Sequence, residues 1–273
     1  MHPNLDPDFA SSLLAEAKAS DNKYSRGVVG FVTGSEAYTG AALLGLEAAY
    51  QLQIGMACYL GPRKVTDLVL NSRPETITGI EKAKVLVVGS GVADDDSGEQ
   101  RKNILAAQAL NLPMVIDAGA LQLVDFEKLS APAILTPHAG EAQKLFARLG
   151  HSRRSKDIAA NPSASAWELA ELTGQVVLLK GNISVLALRN HPPIESGPGS
   201  VHLATAGTGD VLAGMIGALA AKYVATGMGL TLEILRDIGL LATQLHSEAA
   251  ELAASRGDYG ASAICRAISE ASS

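Results

Sequence analysis

The chain predicts an α/β fold: three layers, α/β/α, around a mostly parallel central sheet. Three features of its 273 residues predict this. Short runs rich in Val, Ile and Leu alternate with helical segments, the pattern of repeated βαβ units. The runs are apolar throughout rather than at every second position, as in strands covered on both faces. Most of them end in glycine or a polar residue, at the sheet edge where parallel α/β folds bind ligands.

Residues 8–19 place Phe9, Leu13 and Leu14 on one side and predict a short helix. A polar turn with Lys23 and Arg26 leads to a buried strand over 28–33, closed by Gly34-Ser35. Thr39-Gly40-Ala41-Ala42 opens a helix that runs to about Gln51. A strand over 56–60 and a helix over 65–70 follow, then a strand over 85–89 ending in Gly89-Ser90-Gly91. The run Asp94-Asp95-Asp96 reads as a solvated loop in preference to a magnesium site. A helix over 100–110 precedes a strand over 113–117 that ends in Asp117-Ala118-Gly119-Ala120. The next strand, 133–136, runs into Thr136-Pro137-His138-Ala139-Gly140-Glu141 and a helix over 141–149. Residues 151–165 read as a surface loop or short helix, and 164–172 as a helix. Strands over 176–180 and 185–188 predict a hairpin through Gly181-Asn182, and the Pro- and Gly-rich stretch 190–200 predicts a loop. Ala- and Leu-rich helices are predicted over 211–226 and 230–254, with a short one from Ala261. No linker divides the chain, which is taken as one domain, 1–273.

Composition excludes several classes. A net charge of −6 and an aromatic content of 4% argue against a nucleic-acid surface. No apolar stretch is long enough to span a bilayer, and the first residues lack a basic region followed by an apolar run, so a cytoplasmic protein is expected. Cys58 and Cys265 form neither a metal-ligand spacing nor a disulfide framework.

The chemistry concentrates at Ala206-Gly207-Thr208-Gly209-Asp210. A glycine turn feeding a helix offers unpaired N–H groups to a phosphate, and Asp210 at that helix start can serve as a base or simply cap the helix. The strand ends at Gly34, Gly89, Asp117, Thr136 and Lys180 fall on the same edge of a parallel sheet and join this turn. A dinucleotide fingerprint after the first strand and a P-loop are both missing.

Three segments resemble a known family. Ile134 through Glu141, Val177-Leu178-Leu179-Lys180-Gly181-Asn182 and Ala204 through Gly214 look like the three signatures of NAD(P)H-hydrate dehydratase, a branch of the ribokinase-like superfamily. The resemblance runs from about Lys23 to about His246, supported by Thr39-Gly40-Ala41-Ala42, Gly89-Ser90-Gly91 and Asp117 through Leu121. It implies a ribokinase-like fold and the return of hydrated NADH or NADPH (NADHX, NADPHX) to NAD(P)H. The phosphoryl donor is ADP, as in bacterial members, or ATP, with Mg2+ accompanying the nucleotide. It implies Asp210 as the base on the hydrate hydroxyl and the amides of Gly207, Thr208 and Gly209 around the transferring phosphoryl group. Lys180, Gly181, Asn182, Ile183, Ser184 and Gly209 would line the adenine nucleotide. Ala41, Ala42, Gly89, Gly91, His138 and Asp210 would hold the hydrate.

The alternative for His138 is a cap on the helix that follows it, before Gly140 and Glu141. No protein metal cage is expected, and His246, placed mid-helix, is read as structural. Ala206 and Ala139 stand where the family usually has Gly and Pro. A separate hydrate epimerase is implied as a functional partner, and a homo-oligomer is expected. Two other readings compete: a ribokinase-like kinase of a vitamin precursor alcohol, and a nucleotide-binding regulatory oligomer without catalysis.

Overall fold

The computed structural model describes residues 2–96 and 98–272. Helix α1 (Pro7–Leu14) begins with a proline suited to the first helical position and is capped by Asp6, whose carboxylate accepts from the Asp8 amide at 2.9 Å. It ends at Leu14, not residue 19, because residues 15–19 are all exposed and their alanines are too small to reach the core. In order then come β1 (Val28–Val32), α2 (Thr39–Gln51), β2 (Met56–Tyr59), α3 (Arg63–Ser72), β3 (Ile77–Thr78), β4 (Val85–Val88), α4 (Glu99–Ala109), β5 (Met114–Ile116), α5 (Ala120–Leu123), β6 (Ala133–Leu135) and α6 (Ala139–Arg148). The rest is α7 (Ser155–Ala160), α8 (Pro162–Thr173), β7 (Val176–Leu179), β8 (Ser184–Ala187), β9 (Ile194–Ser196), α9 (Thr208–Ala225), α10 (Leu232–Ser255) and α11 (Ala261–Ala271).

The strands form one sheet in the order β3-β2-β1-β4-β5-β6-β7-β8-β9. From β3 to β7 every pairing is parallel, while β8 and β9 join antiparallel. This is the predicted three-layer architecture. Helices α1, α2, α3, α9, α10 and α11 cover one face, packing on Phe31, Val87, Ile134 and Leu178; α4 to α8 cover the other, packing on Val88, Ile116, Leu135 and Val177. Burial on both faces is why these strands read as unbroken apolar runs.

Two short strands escape the sequence pattern. β3 has two residues and β9 three, too few to show any period. β9 lies inside the stretch 190–200 predicted as a loop; its prolines flank the strand, at Pro192-Pro193 and Pro198, and an edge strand tolerates that. The acidic run is consumed locally: Asp94 pairs with Lys144, and Asp96 accepts from the Arg101 amide at 2.7 Å.

The apolar faces of α9 and α10 are spent on the sheet. Val211 to Ala221 is buried throughout, and α10 buries Leu235, Ile238, Leu241 and Leu245. Helix α9 comes so close to α2 that a Cβ on Gly214 would stand 2.2 Å from the Gly45 carbonyl oxygen. Among the described residues, no helix is long and apolar enough to cross a membrane. Cys58 and Cys265 are both buried and not disulfide-bonded.

Candidate active site

The parallel ladder delivers polar strand ends to one edge. Past β6 and β7 the pairing continues as a bridge between His138 and Lys180, with the Lys180 amide donating to the Pro137 carbonyl at 2.8 Å. The Lys180 ammonium therefore reaches back across the sheet edge to Asp117, at 2.8 Å, and lies 3.9 Å from Glu141. Asp117, with its side chain 3% exposed, is saturated: Thr136 donates to Oδ1 at 2.7 Å and Ser90 to Oδ2 at 2.8 Å. Burial works against both charges, but the Asp117–Lys180 contact outweighs it, holding the carboxyl below its usual range and the ammonium above. Ala118, next in the chain, sits at φ +45°, a left-handed conformation uncommon for alanine and typical of a constrained functional turn.

Gly207 starts α9 at φ +91°, left-handed backbone that suits glycine. It has no side chain to cap the helix, so the first-turn N–H groups stay available to an anion. Thr208 is turned away from them, its hydroxyl donating to the Leu203 and Thr205 carbonyls. Asp210 makes no cap either; it lies inside the first turn. Burial first, then repulsion from Asp117 and Glu141, push its carboxyl up to about 7 against the pull of Lys180. Lys180 stands beside this turn, its Nζ 3.3 Å from where a Gly209 Cβ would be. Thus the phosphate turn, one ammonium and a carboxylate able to take a proton near neutral pH meet at one point.

A cavity of about 750 Å3 opens from that point toward α10 and the loop before η, the 3-10 turn Val201–Leu203. Lys180, Gly181, Asn182, Ser184, Thr208, Gly209 and His138 line it. Ile183 points outward and is exposed. The loop wall is tied down: the Gly199 amide donates to the Asn182 carbonyl at 2.7 Å and the Ser200 amide to Ser247 Oγ at 2.8 Å.

Of the second predicted group only His138 reaches this cavity; Ala41, Ala42, Gly89, Gly91 and Asp210 do not line it. Ala41 and Gly91 are neighbours, a Cβ on Gly91 falling 2.5 Å from that of Ala41, at the ends of β1 and β4. Gly89 is buried against the Asp117 carbonyl, and Ala42 is fully buried in the core. Helix α2, which carries both alanines, runs beside α9 and brings Gly45 against the Asp210 carbonyl. Asp210 follows Gly209, which lines the cavity, and its carbonyl meets the helix that carries Ala41. His138 does what a capping residue does: Nδ1 accepts from the Gly140 and Glu141 amides at 3.0 and 3.3 Å. Glu141 returns the bond to the His138 amide at 2.8 Å, and the imidazole Nε2, 3.5 Å from Glu141, remains at the cavity rim. Ala139 takes the first helical position, where a proline would also fit, and Ala206 keeps an ordinary backbone.

Sequence reasoning passed over Ser90, Asp117, Thr136 and Glu141 as working side chains, although each sits in a strand-end motif it had marked. It also passed over His246, which lines the cavity.

The layers and strand order are those of a ribokinase-like fold. Residues 29–272 match the family model described as NAD(P)H-hydrate dehydratase, and the chain belongs to that family. It is 38% identical over 217 residues to the bifunctional NAD(P)H-hydrate repair enzyme Nnr of Mycobacterium tuberculosis, covering 76% of this chain and 43% of that protein. The chain thus spans about half the length of such relatives, or less. It is 30% identical over 227 residues to the ADP-dependent (S)-NAD(P)H-hydrate dehydratase of Bacillus subtilis, covering 78% of this chain and 79% of that one. A crystal structure of the ADP/ATP-dependent NAD(P)H-hydrate dehydratase from Bacillus subtilis, co-crystallised with ATP/Mg2+, superposes with a TM-score of 0.79 at 25% identity, over 99% of this chain and 98% of that one.

Proposed function

We propose that this chain dehydrates NADHX and NADPHX to NADH and NADPH at the expense of ADP, releasing AMP and phosphate. The observation that carries the reading is Asp210, a half-buried carboxylate with a proton affinity near neutrality, set in the first turn of a helix whose amides face the same edge. Family membership and the dehydratase activity named for the Bacillus subtilis relatives support it.

The residues divide the work. Asp210 takes the proton of the hydrate hydroxyl as that oxygen attacks the terminal phosphorus of ADP. The bond from phosphorus to the AMP oxygen breaks, and the amides of Gly207, Thr208 and Gly209, with the Lys180 ammonium, stabilise the charge that develops. Hydroxide, a poor leaving group, has become a phosphate ester. The ring nitrogen lone pair expels phosphate, and loss of a proton from the adjacent ring carbon restores the double bond. Lys180, Gly181, Asn182 and Ser184 hold the nucleotide in the cavity. Ala41, Gly89, Gly91 and His138 shape the hydrate side.

Mg2+ fits the donor set. Asp117, Glu141 and Asp210 share one ammonium, which leaves net negative charge and hard oxygen ligands. Asp117 is saturated and Asp210 serves as the base, so Glu141 is the carboxylate that would hold the ion together with the phosphates. Among the described residues no group of three His, Cys, Asp or Glu side chains could hold a metal unaided. When bound, the ion would neutralise the phosphate oxygens.

A hydrate epimerase is the functional partner we propose, and the cytoplasm the compartment. The test is absorbance at the reduced-nicotinamide band after mixing the protein with NADPHX, Mg2+ and either ADP or ATP. Recovery with one nucleotide and none without it establishes the activity and names the donor. A phosphoester of a small alcohol that persists, with no recovery, replaces it with the kinase reading.

A further inference from the structure

The cavity has one wall whose polar groups are not all accounted for. Helix α10 lines it with Thr243, Gln244, His246, Ser247 and Glu248. Thr243 donates to the Gly239 carbonyl at 2.8 Å, and Ser247 holds the loop through the Ser200 amide at 2.8 Å. His246 is different: it is 4% exposed, and its Nε2 is sealed from solvent with no hydrogen-bond partner. An unpaired buried nitrogen destabilises a fold relative to an apolar side chain of the same shape, so packing alone does not account for a histidine here. Burial first, and then the Lys180 ammonium, lower its proton affinity to about 4, so the ring is neutral at pH 7 and carries one N–H donor and one acceptor. His246 lines the same cavity as Lys180, Thr208 and Gly209. Turning the ring about its broad, two-fold χ2 exchanges nitrogen and carbon positions without moving the helix.

We propose that His246 is a nucleotide-binding residue: its imidazole donates a hydrogen bond to the phosphate chain of the bound nucleoside diphosphate, from the α10 wall of the cavity that Lys180 and Gly209 also line. This rests on the nucleotide-dependent reading of the cavity and adds a residue that the family resemblance did not assign. The ligand supplies the partner the ring lacks, and the ring adds a short-range donor to the fixed charge of Lys180. A donor to an anionic oxygen forms a stronger bond than a neutral pair.

The experiment is calorimetric titration of the full chain with ADP and with adenosine, for wild type, His246→Leu and His246→Gln, alongside steady-state kinetics. Leu keeps the apolar volume and removes the donor; Gln restores one. His246→Leu is expected to weaken ADP about tenfold and raise its KM in step, while adenosine affinity, KM for the hydrate and kcat hold steady. His246→Gln is expected to recover most of the loss. Unchanged ADP affinity in His246→Leu overturns the proposal, as does an equal loss for ADP and adenosine, which would place the contact on the nucleoside. Should His246→Leu not fold, wild-type protein with 15N-labelled histidine decides: the ring nitrogens of His246 shift on adding ADP, or the proposal falls. Wild type that binds ADP with the His246 signature but returns no NADPH overturns the dehydratase reading alone. Wild type that binds no nucleotide overturns both.

Discussion

Asp210 is one carboxylate among three, and its surroundings separate it from the others. Asp117 is fully bonded to Lys180, Thr136 and Ser90, so it stays ionised and inert. Glu141 is shifted upward by burial but serves the cap on His138. Asp210 alone has its charge opposed and its oxygens free for substrate. Asp210→Asn should lower kcat by about 10²–10⁴-fold and leave nucleotide binding in place, as titration of the variant with ADP will show. The rate should follow its ionisation: kcat/KM rises with pH through a limb near 7, where the Asp210 carboxyl titrates, and levels off above it. Lys180→Gln removes the one group that pulls this proton affinity down, so in that variant the limb should move to higher pH. Stability carries the opposite sign. Between its ordinary 3.8 and about 7 the folded Asp210 binds a proton the unfolded chain has lost, so its ionisation destabilises the fold as pH rises. Asp210→Asn should therefore melt at a higher temperature than wild type at pH 8, and the gap should close toward pH 4.

Elements place these side chains by approaching one another closely. The extension of the β6–β7 ladder by the His138–Lys180 bridge sets Lys180 against Asp117 and Glu141. Helix α9 is positioned by its contact with α2, where Gly214 meets the Gly45 backbone. Any Cβ there must push the helices apart. Gly214→Ala should cost about 1–3 kcal/mol of stability in urea unfolding. Because α9 carries Asp210 and α2 carries Ala41, the same change should lower kcat beyond what the lost stability explains. The sequence pattern located most elements to within a few residues, because strands buried on both faces leave unbroken apolar runs and the longer helices leave runs of Ala and Leu. It overran α1, whose final alanines favour a helix but face solvent. It passed over β9, a three-residue edge strand between prolines.

At the scale of the whole molecule, stability should couple to ligand and to pH. A nucleotide that binds only the folded cavity at a hundredfold its Kd stabilises by about 2.7 kcal/mol, so ADP should raise the melting temperature in a concentration-dependent way, and AMP less. His246 adds an acid liability. The unfolded chain takes up a proton near 6.5, while the folded protein resists until about 4. The stability this preserves is present above 6.5 and is lost as pH falls from there to 4. His246→Leu should flatten that part of the melting profile, measured against wild type without ligand.

The α/β class, the parallel sheet, the ligand edge and the phosphate turn followed from the chain alone, since each is written in local spacing: apolar runs, glycines and polar strand ends. Resemblance of three such segments carried the family. Tertiary structure decided which polar groups act on which. That Asp117 is spent on Lys180, that Asp210 is left to titrate near 7, and that a mid-helix histidine lines a cavity while its buried Nε2 stays unpaired all depend on residues far apart in sequence. Burial and charge proximity are properties of the packed fold, and no local pattern encodes them.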